Sequence, residues 1–245
     1  MNQLCAQPES WGRHLLSPQQ PDYRLLILPD WQGAFTPYIE RMAKLFGHAL
    51  NAETKVFHPY RMNTRPSHYE QEGRFEVAKV LQDRHKVRQW MNLSLQQLEE
   101  QWQSDATPLL LVGFCLGGTL AFEAGRVNES VSLSVSLHGD PSTDLGLVPD
   151  QEATPFIFFN GGSDPLIPGM ALEKFMYEMH RGRREWYMHT LGTARHSFTK
   201  QEVGKVGPGS IYSASHLDGC VKTLSAMVPH IVDNNLTQGL NYVSK

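Results

Sequence analysis

The chain has 245 residues, 40% of them hydrophobic and 19% charged, which supplies a sizeable core and an ordinary polar surface. A net charge of −3 and a pI near 6.4 leave no basic footprint for nucleic acid. No apolar run approaches the roughly 18 residues that a membrane span needs.

MNQLCAQPES at the start has neither the basic region nor the apolar stretch of a secretory leader. Cys5, Cys115 and Cys220 are too few for a disulfide framework, and no CxxC pair offers a metal clip, so reduced thiols in the cytoplasm are expected.

Residues 1–22, polar and rich in Pro and Gln, read as an irregular arm. YRLLIL (23–28) has the length and character of a buried strand. Pro29 and Gly33 break it, and a helix follows over about 36–47 with Tyr38, Ile39, Met42 and Leu45 as its apolar stripe. TKVFHPY (54–60) predicts a second strand stopped at Pro59, and residues 61–73 a loop. A long helical pattern over 74–103 presents Phe75, Val77, Ala78, Leu81, Val87, Trp90, Met91 and Leu98, with a break expected near Asn92.

A strand at 109–113 leads through a turn into a helix over 117–126, then a strand at 131–137. A strand at 154–161, a helix at 169–180, a strand at 184–190 and a last helix over about 213–232 complete the pattern. Strands alternating with helices predict a mostly parallel twisted sheet covered on both faces, joined by right-handed crossovers. Residues 23–245 are expected to form a single α/β domain.

The centre of interest is LLLVGFCLGGTLAFEAG (109–125), where an apolar strand meets a helix and a thiol stands at the corner. In such an elbow the apex side chain is held above the sheet by a strained backbone, and glycines two residues either side relieve crowding. Cys115 then lies at a helix N-terminus, where free N–H groups and the dipole favour a thiolate. A buried core cysteine is the competing account. Phosphate-binding patterns fail on spacing: no lysine follows Gly118, and Cys115 occupies the position where GxGxxG needs glycine.

A thiol nucleophile needs a base and the base an orienting partner. FIFFNGGSDPLIP places Asp164 just beyond one strand, and EWYMHTLGTARHSFTK places His196 just beyond the next. The order nucleophile, acid, histidine, each at a strand's C-terminal end, is that of α/β-hydrolases. Taken singly, Asp164 is equally a turn residue before Pro165 and His196 an exposed loop histidine.

GFCLGG (113–118), GGSDPLIP (161–168) and RHSFTK (195–200) resemble the three signature regions of the dienelactone hydrolase family, a cysteine branch of the α/β-hydrolases. LLILPDWQGAFTPYIERMAKLFG resembles that family's first strand, loop and helix, and the likeness runs from about Tyr23 to Val232. It implies Cys115 as nucleophile, His196 as base and Asp164 as its orienter, with backbone N–H groups of Leu116 and Trp31 as oxyanion donors. The family's loop glutamate, which holds the resting thiol, is matched here by the shorter Asp30. Lys200 stands where an arginine can grip a substrate carboxylate, though it would do so without a planar fork. A polar turn residue and a solvated loop charge are the bland accounts of Asp30 and Lys200.

The resemblance implies hydrolysis of a small ester, lactone or thioester through an acyl-thioester, with no cofactor, metal, nucleic-acid or membrane partner. Amides are less suited, because their leaving groups need more help from a general acid. His138 and Asp140 face the same sheet end, but two ligands do not define a metal site. Residues 200–212, with three glycines and a proline, suggest a flap near His196 or an ordinary connection. Trp31, Phe114 and Phe198 are pocket or core aromatics. The alternative function is a non-catalytic binding or redox-sensing protein of the same fold, with Cys115 as its sensitive thiol.

Overall fold

The computed structural model describes residues 13–59, 77–99, 102, 107–146, 154–204 and 209–241, and side chains of the last stretch as far as 232. The 61–73 loop, Phe75 and part of the 200–212 segment therefore fall wholly or largely outside the described residues.

Among the described residues seven strands form one sheet. They are β1 (Arg13–Leu16), β2 (Tyr23–Leu28), β3 (Ala52–Val56), β4 (Leu109–Phe114), β5 (Val131–Leu137), β6 (Phe156–Gly161) and β7 (Trp186–Leu191). The longer helices among the described residues are α1 (Pro37–Ala49), α2 (Arg84–Glu99), α3 (Leu116–Gly125), α4 (Gly169–Arg181) and α5 (Ala214–Asn241). The spatial order is β1-β3-β2-β4-β5-β6-β7, with β1 antiparallel to β3 and every other pairing parallel. This is the α/β-hydrolase architecture that the sequence implies.

Successive residues of β2 feed opposite layers. Leu25 and Ile27 pack with Tyr38, Ile39 and Phe46 of α1 and Leu224 and Val228 of α5. Leu26 and Leu28 pack with Trp90, Met91 and Leu95 of α2 and Leu120 of α3. A strand buried on both faces has no polar alternation, which is why YRLLIL and LLLVGF read as continuous apolar runs. Beneath α4, Phe122, Phe156, Phe158 and Phe175 form a separate aromatic block.

Several boundaries differ from the sequence reading. Arg13–Leu16, within the stretch expected to be irregular, pairs antiparallel with β3, with His14 Nε2 3.7 Å from Glu53 Oε1 and Leu15 packed against the core. Thr36 caps α1 by accepting from Ile39 N at 3.2 Å, and Pro37 fits the first turn, where its missing N–H is harmless. Leu45 is exposed and Phe46 takes its place in the buried stripe. Asn51 turns at φ 45°, a conformation asparagine tolerates, so β3 starts at Ala52 and ends before Pro59. The long helical pattern is broken at Asp83, whose carboxylate accepts from Lys86 N at 3.1 Å and starts α2, rather than near Asn92. The last helix continues past Val232 to Asn241. Among the described residues no helix is long and apolar enough to cross a membrane.

The chain runs from β2 outward to β3, then returns across β2 to form β4 on its other side. The loops leaving β2 and β4 thus diverge at neighbouring strand ends, the crevice where open α/β sheets place ligands.

Candidate active site

Cys115 sits in that crevice, immediately before α3, with φ 52° and ψ −116°. A left-handed φ on a residue with a Cβ is strained, and it persists here because the turn is held on both sides. Cys115 N donates to Leu137 O at 3.1 Å, and Cys115 O accepts from Gly118 N at 3.0 Å and Thr119 N at 3.2 Å. A Cβ at Gly113 would stand 2.0 Å from Gly117 O, and one at Gly117 would stand 2.0 Å from Leu28 O. The first clash is the crowding expected of an elbow; the second shows that α3 also abuts the backbone of β2. Cys115 itself is partly exposed, whereas Cys220, the other described thiol, is buried.

His196 Nε2 lies 3.2 Å from Cys115 Sγ, and His196 Nδ1 lies 2.8 Å from Asp164 Oδ2. The three residues come from the ends of β4, β6 and β7. Asp164 is oriented by Leu166 N, which donates to its Oδ1 at 2.8 Å, and by its own N–H to Gly161 O at 3.0 Å. His196 is tied down through its N–H to Gly209 O at 3.2 Å. Burial works against the charge on His196, but the negative sulfur of Cys115 and the Asp164 carboxylate outweigh it and push the imidazole up to about 10. The arrangement holds the His196 imidazole charged beside the sulfur.

Leu116 is the first residue of α3 and Trp31 lies on the loop leaving β2, so both backbones belong to the same crevice. Asp30 is buried, and its Oδ2 lies 2.5 Å from Lys200 Nζ while its Oδ1 accepts from Gln32 N at 3.2 Å. Lys200 also donates to Gln32 Oε1 and lies 5.3 Å from the centre of the Tyr38 ring. The structure therefore brings Asp30 to Lys200, and the hydrogen bond to the thiol comes from His196. Lys200 is only 7% exposed, which removes the bland account of a solvated loop charge. Phe114 and Phe198 are fully buried core aromatics, and Trp31 is half-buried.

Tyr38, Thr199 and Gln32 were not singled out for this end of the sheet by sequence reasoning. Tyr38 belongs to the apolar stripe of α1, yet its hydroxyl lies 2.6 Å from Thr199 Oγ1. Thr199 Oγ1 is also 2.8 Å from His138 Nε2. Their proximity to His196 could be suspected only from the RHSFTK motif, which carries Thr199. Among the described residues no group of three or more His, Cys, Asp and Glu is placed to hold a metal ion.

The sheet order and the strand–Cys–helix elbow define an α/β-hydrolase. The sequence pattern of the dienelactone hydrolase family matches residues 13–217, and the chain belongs to that family. It is 27% identical over 135 residues to a Bradyrhizobium protein named "Probable 2-oxo-3-(5-oxofuran-2-ylidene)propanoate lactonase", covering 51% of this chain and 54% of the relative. The chain thus spans about half the length of that curated relative. The fold is shared with a dienelactone hydrolase-like promiscuous phosphotriesterase from metagenomic libraries, at TM-score 0.68, 21% identity and 88% coverage of both chains. It is shared also with a dienelactone hydrolase of Anabaena variabilis, at TM-score 0.55, 14% identity, and coverage of 87% of this chain and 88% of that one.

Proposed function

We propose that the protein hydrolyses small carboxylic esters or lactones through an acyl-thioester on Cys115. The observation that carries this reading is the continuous line Cys115 Sγ–His196 Nε2–Asp164 Oδ2, at 3.2 and 2.8 Å, built on a strained elbow at the mouth of the crevice.

The thiolate attacks the carbonyl carbon, and the carbonyl π electrons move onto oxygen. That oxyanion is received by the N–H groups of Leu116 and Trp31, a kind of donor whose removal typically costs about 2.7–4 kcal/mol of transition-state stabilisation. Collapse breaks the ester C–O bond, and the imidazolium of His196 passes its proton to the departing alkoxide. Acylation consumes the sulfur's charge, one of the influences holding His196 protonated. The now neutral imidazole accepts a proton from water, the resulting nucleophile attacks the thioester, and collapse returns the thiolate. Asp164 keeps Nδ1 protonated and Nε2 directed at the sulfur throughout.

The lactonase name of the Bradyrhizobium relative supports lactones among the substrates. Asp30, Gln32 and Lys200 hold the Trp31 loop against the segment after His196, so their role in this reading is to fix one oxyanion donor. Cys115 and Cys220 are free, and a reducing cytoplasm suits a thiol nucleophile.

Reaction with p-nitrophenyl acetate tests the proposal. A burst followed by turnover is expected, with an acetyl adduct on Cys115 detected by mass spectrometry, all lost in Cys115→Ala and His196→Ala. Equal rates in wild type and both variants across an ester and lactone panel would remove the hydrolase reading. Reversible oxidation of Cys115 that alters binding would then favour the sensor.

A further inference from the structure

Three residues with a Cβ adopt left-handed backbone near this end of the sheet: Cys115 at φ 52°, Ser197 at φ 52° and His138 at φ 45°. Cys115 is the elbow, and Ser197 follows the histidine that faces it. His138 takes no part in the chemistry above, yet it is equally strained and 1% exposed. Its N–H donates to Phe159 O at 3.0 Å, which closes the end of β5 against β6. Its ring lies edge-on to His196, centroids 5.3 Å apart at 66°, and against Phe198 at 5.2 Å.

The polar atoms of His138 argue that it does more than fill space. Nε2 is bonded to Thr199 Oγ1, which is bonded in turn to the Tyr38 hydroxyl, and Thr199 and Tyr38 are themselves buried. Three proton arrangements are open to this chain. If Tyr38 donates to Thr199 and Thr199 donates to Nε2, only the proton on Nδ1 lacks an acceptor outside its own residue. The reverse direction strands the Tyr38 proton as well as the Nδ1 lone pair, and donation by both Tyr38 and Nε2 to Thr199 strands the Thr199 proton and that same lone pair. The first arrangement satisfies more of the groups, so His138 carries its proton on Nδ1. That Nδ1 is buried, and among the described residues it has no hydrogen-bond partner beyond its own main chain. Such a group is destabilising, and phenylalanine or leucine would fill the same space without it. The retained imidazole therefore points to a use for its bond to Thr199.

We propose that His138 is a positioning residue for His196, and that the Tyr38–Thr199–His138 chain forms a buried brace behind the catalytic imidazole. This inference rests on the hydrolase reading of Cys115 and His196. The brace joins three separate elements: α1 through Tyr38, the end of β5 through His138, and the segment carrying His196 through Thr199. Because Thr199 is three residues from His196, fixing its hydroxyl fixes the path of the loop that presents the ring to Cys115.

The ionisable neighbours agree with a neutral brace. Burial, then the nearby charges of His196 and Lys200, push His138 well below the usual histidine range. Tyr38 is held protonated by burial and by Asp30, Cys115 and Glu202. His196 otherwise faces Cys115 and Asp164. A neutral ring beside the His196 imidazolium fills the space without adding a repelling charge.

The test uses Thr199→Val, which keeps the shape and removes both bonds, Thr199→Ser, which restores the hydroxyl, and Tyr38→Phe, which removes only the outer bond. Two readouts are followed: kcat and KM on p-nitrophenyl acetate, and the pH dependence of iodoacetamide alkylation at the Cys115 peptide. Thr199→Val is expected to lower kcat on the order of tenfold with little change in KM, as a slightly misplaced catalytic group does. It is also expected to move the alkylation midpoint from its wild-type value, because the His196 imidazole is less well held against the sulfur. Thr199→Ser should recover both, and Tyr38→Phe should show a smaller shift in the same direction.

If Thr199→Val and Tyr38→Phe lower the melting temperature but leave kcat and the alkylation midpoint at wild-type values, the brace is structural only and the proposal is overturned. If Thr199→Val does not fold, Tyr38→Phe decides on the same two readouts. Alkylation needs no ester substrate, so loss of the hydrolase reading would show in the wild-type kinetics while the brace is still read at the thiol.

Discussion

Buried charge occurs in two places around α3, and the two clusters are wired differently. On the crevice side, Lys200 joins Asp30 and Gln32 beside a partly exposed cysteine whose backbone is strained. Farther along α3, Arg126 and Glu123 are both 0% exposed and are linked to α2 and α4. Arg126 grips Glu178 through Nε at 2.8 Å and Nη2 at 2.7 Å, while Arg88 Nε reaches Glu123 Oε2 at 2.7 Å. The same arginines bind backbone, Arg126 at Pro141 O and Arg88 at Gly146 O, and so pin the chain beyond β5. Burial opposes the charge on Arg126, but Glu178, Glu123 and Asp140 more than offset it. The second cluster has the forked arginine geometry of a fastening and no exposed nucleophile. Buried ionisable groups are therefore a poor guide to chemistry by themselves; the informative coincidence is charge, strained backbone and access in one place.

The comparison can be broken most severely at Cys115. Cys115→Ala is expected to bring ester hydrolysis to background, a loss on the order of 10⁴-fold or more, while the chain still folds. Arg126→Met should do the opposite. Leaving Glu178 without its buried partner, and Glu123 with Arg88 and Arg84 alone, is expected to remove about 3–5 kcal/mol of stability in urea unfolding, while the folded fraction keeps its kcat within a small factor. Should the arginine variant lose turnover without losing stability, the division between the two clusters fails.

Lys200→Met probes the boundary between them. Release of Asp30 and Gln32 is expected to lower kcat/KM by about tenfold to a hundredfold through displacement of the Trp31 loop. The loss should be equal for matched esters with and without a carboxylate. A selective loss on the anionic ester would instead mark Lys200 as a grip on substrate.

The smallest effect concerns pH. His196 is raised from its ordinary 6.5 to about 10, so its contribution to stability is present below the unfolded value and disappears as pH rises through the folded one. The melting temperature of the resting protein should fall as pH rises past the ordinary thiol range of about 8.5 toward about 10. There the unfolded thiol and imidazole hold no proton and the folded pair still holds one, so the fall should be steeper than that of Cys115→Ala, which lacks the sulfur charge. Parallel curves would deny the pairing of thiolate and imidazolium.

How far the molecule was legible depended on the range of each interaction. Glycines at 113 and 117 register a backbone clash within one turn, and GSDP and RHSF mark loops just past apolar strands, so Cys115, Asp164 and His196 were readable from local pattern. The strand Arg13–Leu16 was not, because its partner is β3, joined by backbone bonds and by the His14–Glu53 pair that no local pattern announces. Tyr38 illustrates the same limit inside a correctly expected helix: its spacing announces burial, but its partner Thr199 is 161 residues away. Asp30 and Lys200 are separated by 170 residues, and each local context fits a turn or a surface charge. Arg88 and Glu123 likewise reveal their pairing only once α2 lies against α3.

The contact of Gly117 with the Leu28 carbonyl has a practical corollary. The Cys115 sulfur stands where two main chains meet, so its address does not depend on the identity of the atom the side chain carries. Exchanging sulfur for oxygen at 115 should change nucleophilicity while conserving placement. Efforts to alter what the crevice accepts are therefore better directed at the loops around it than at the corner itself.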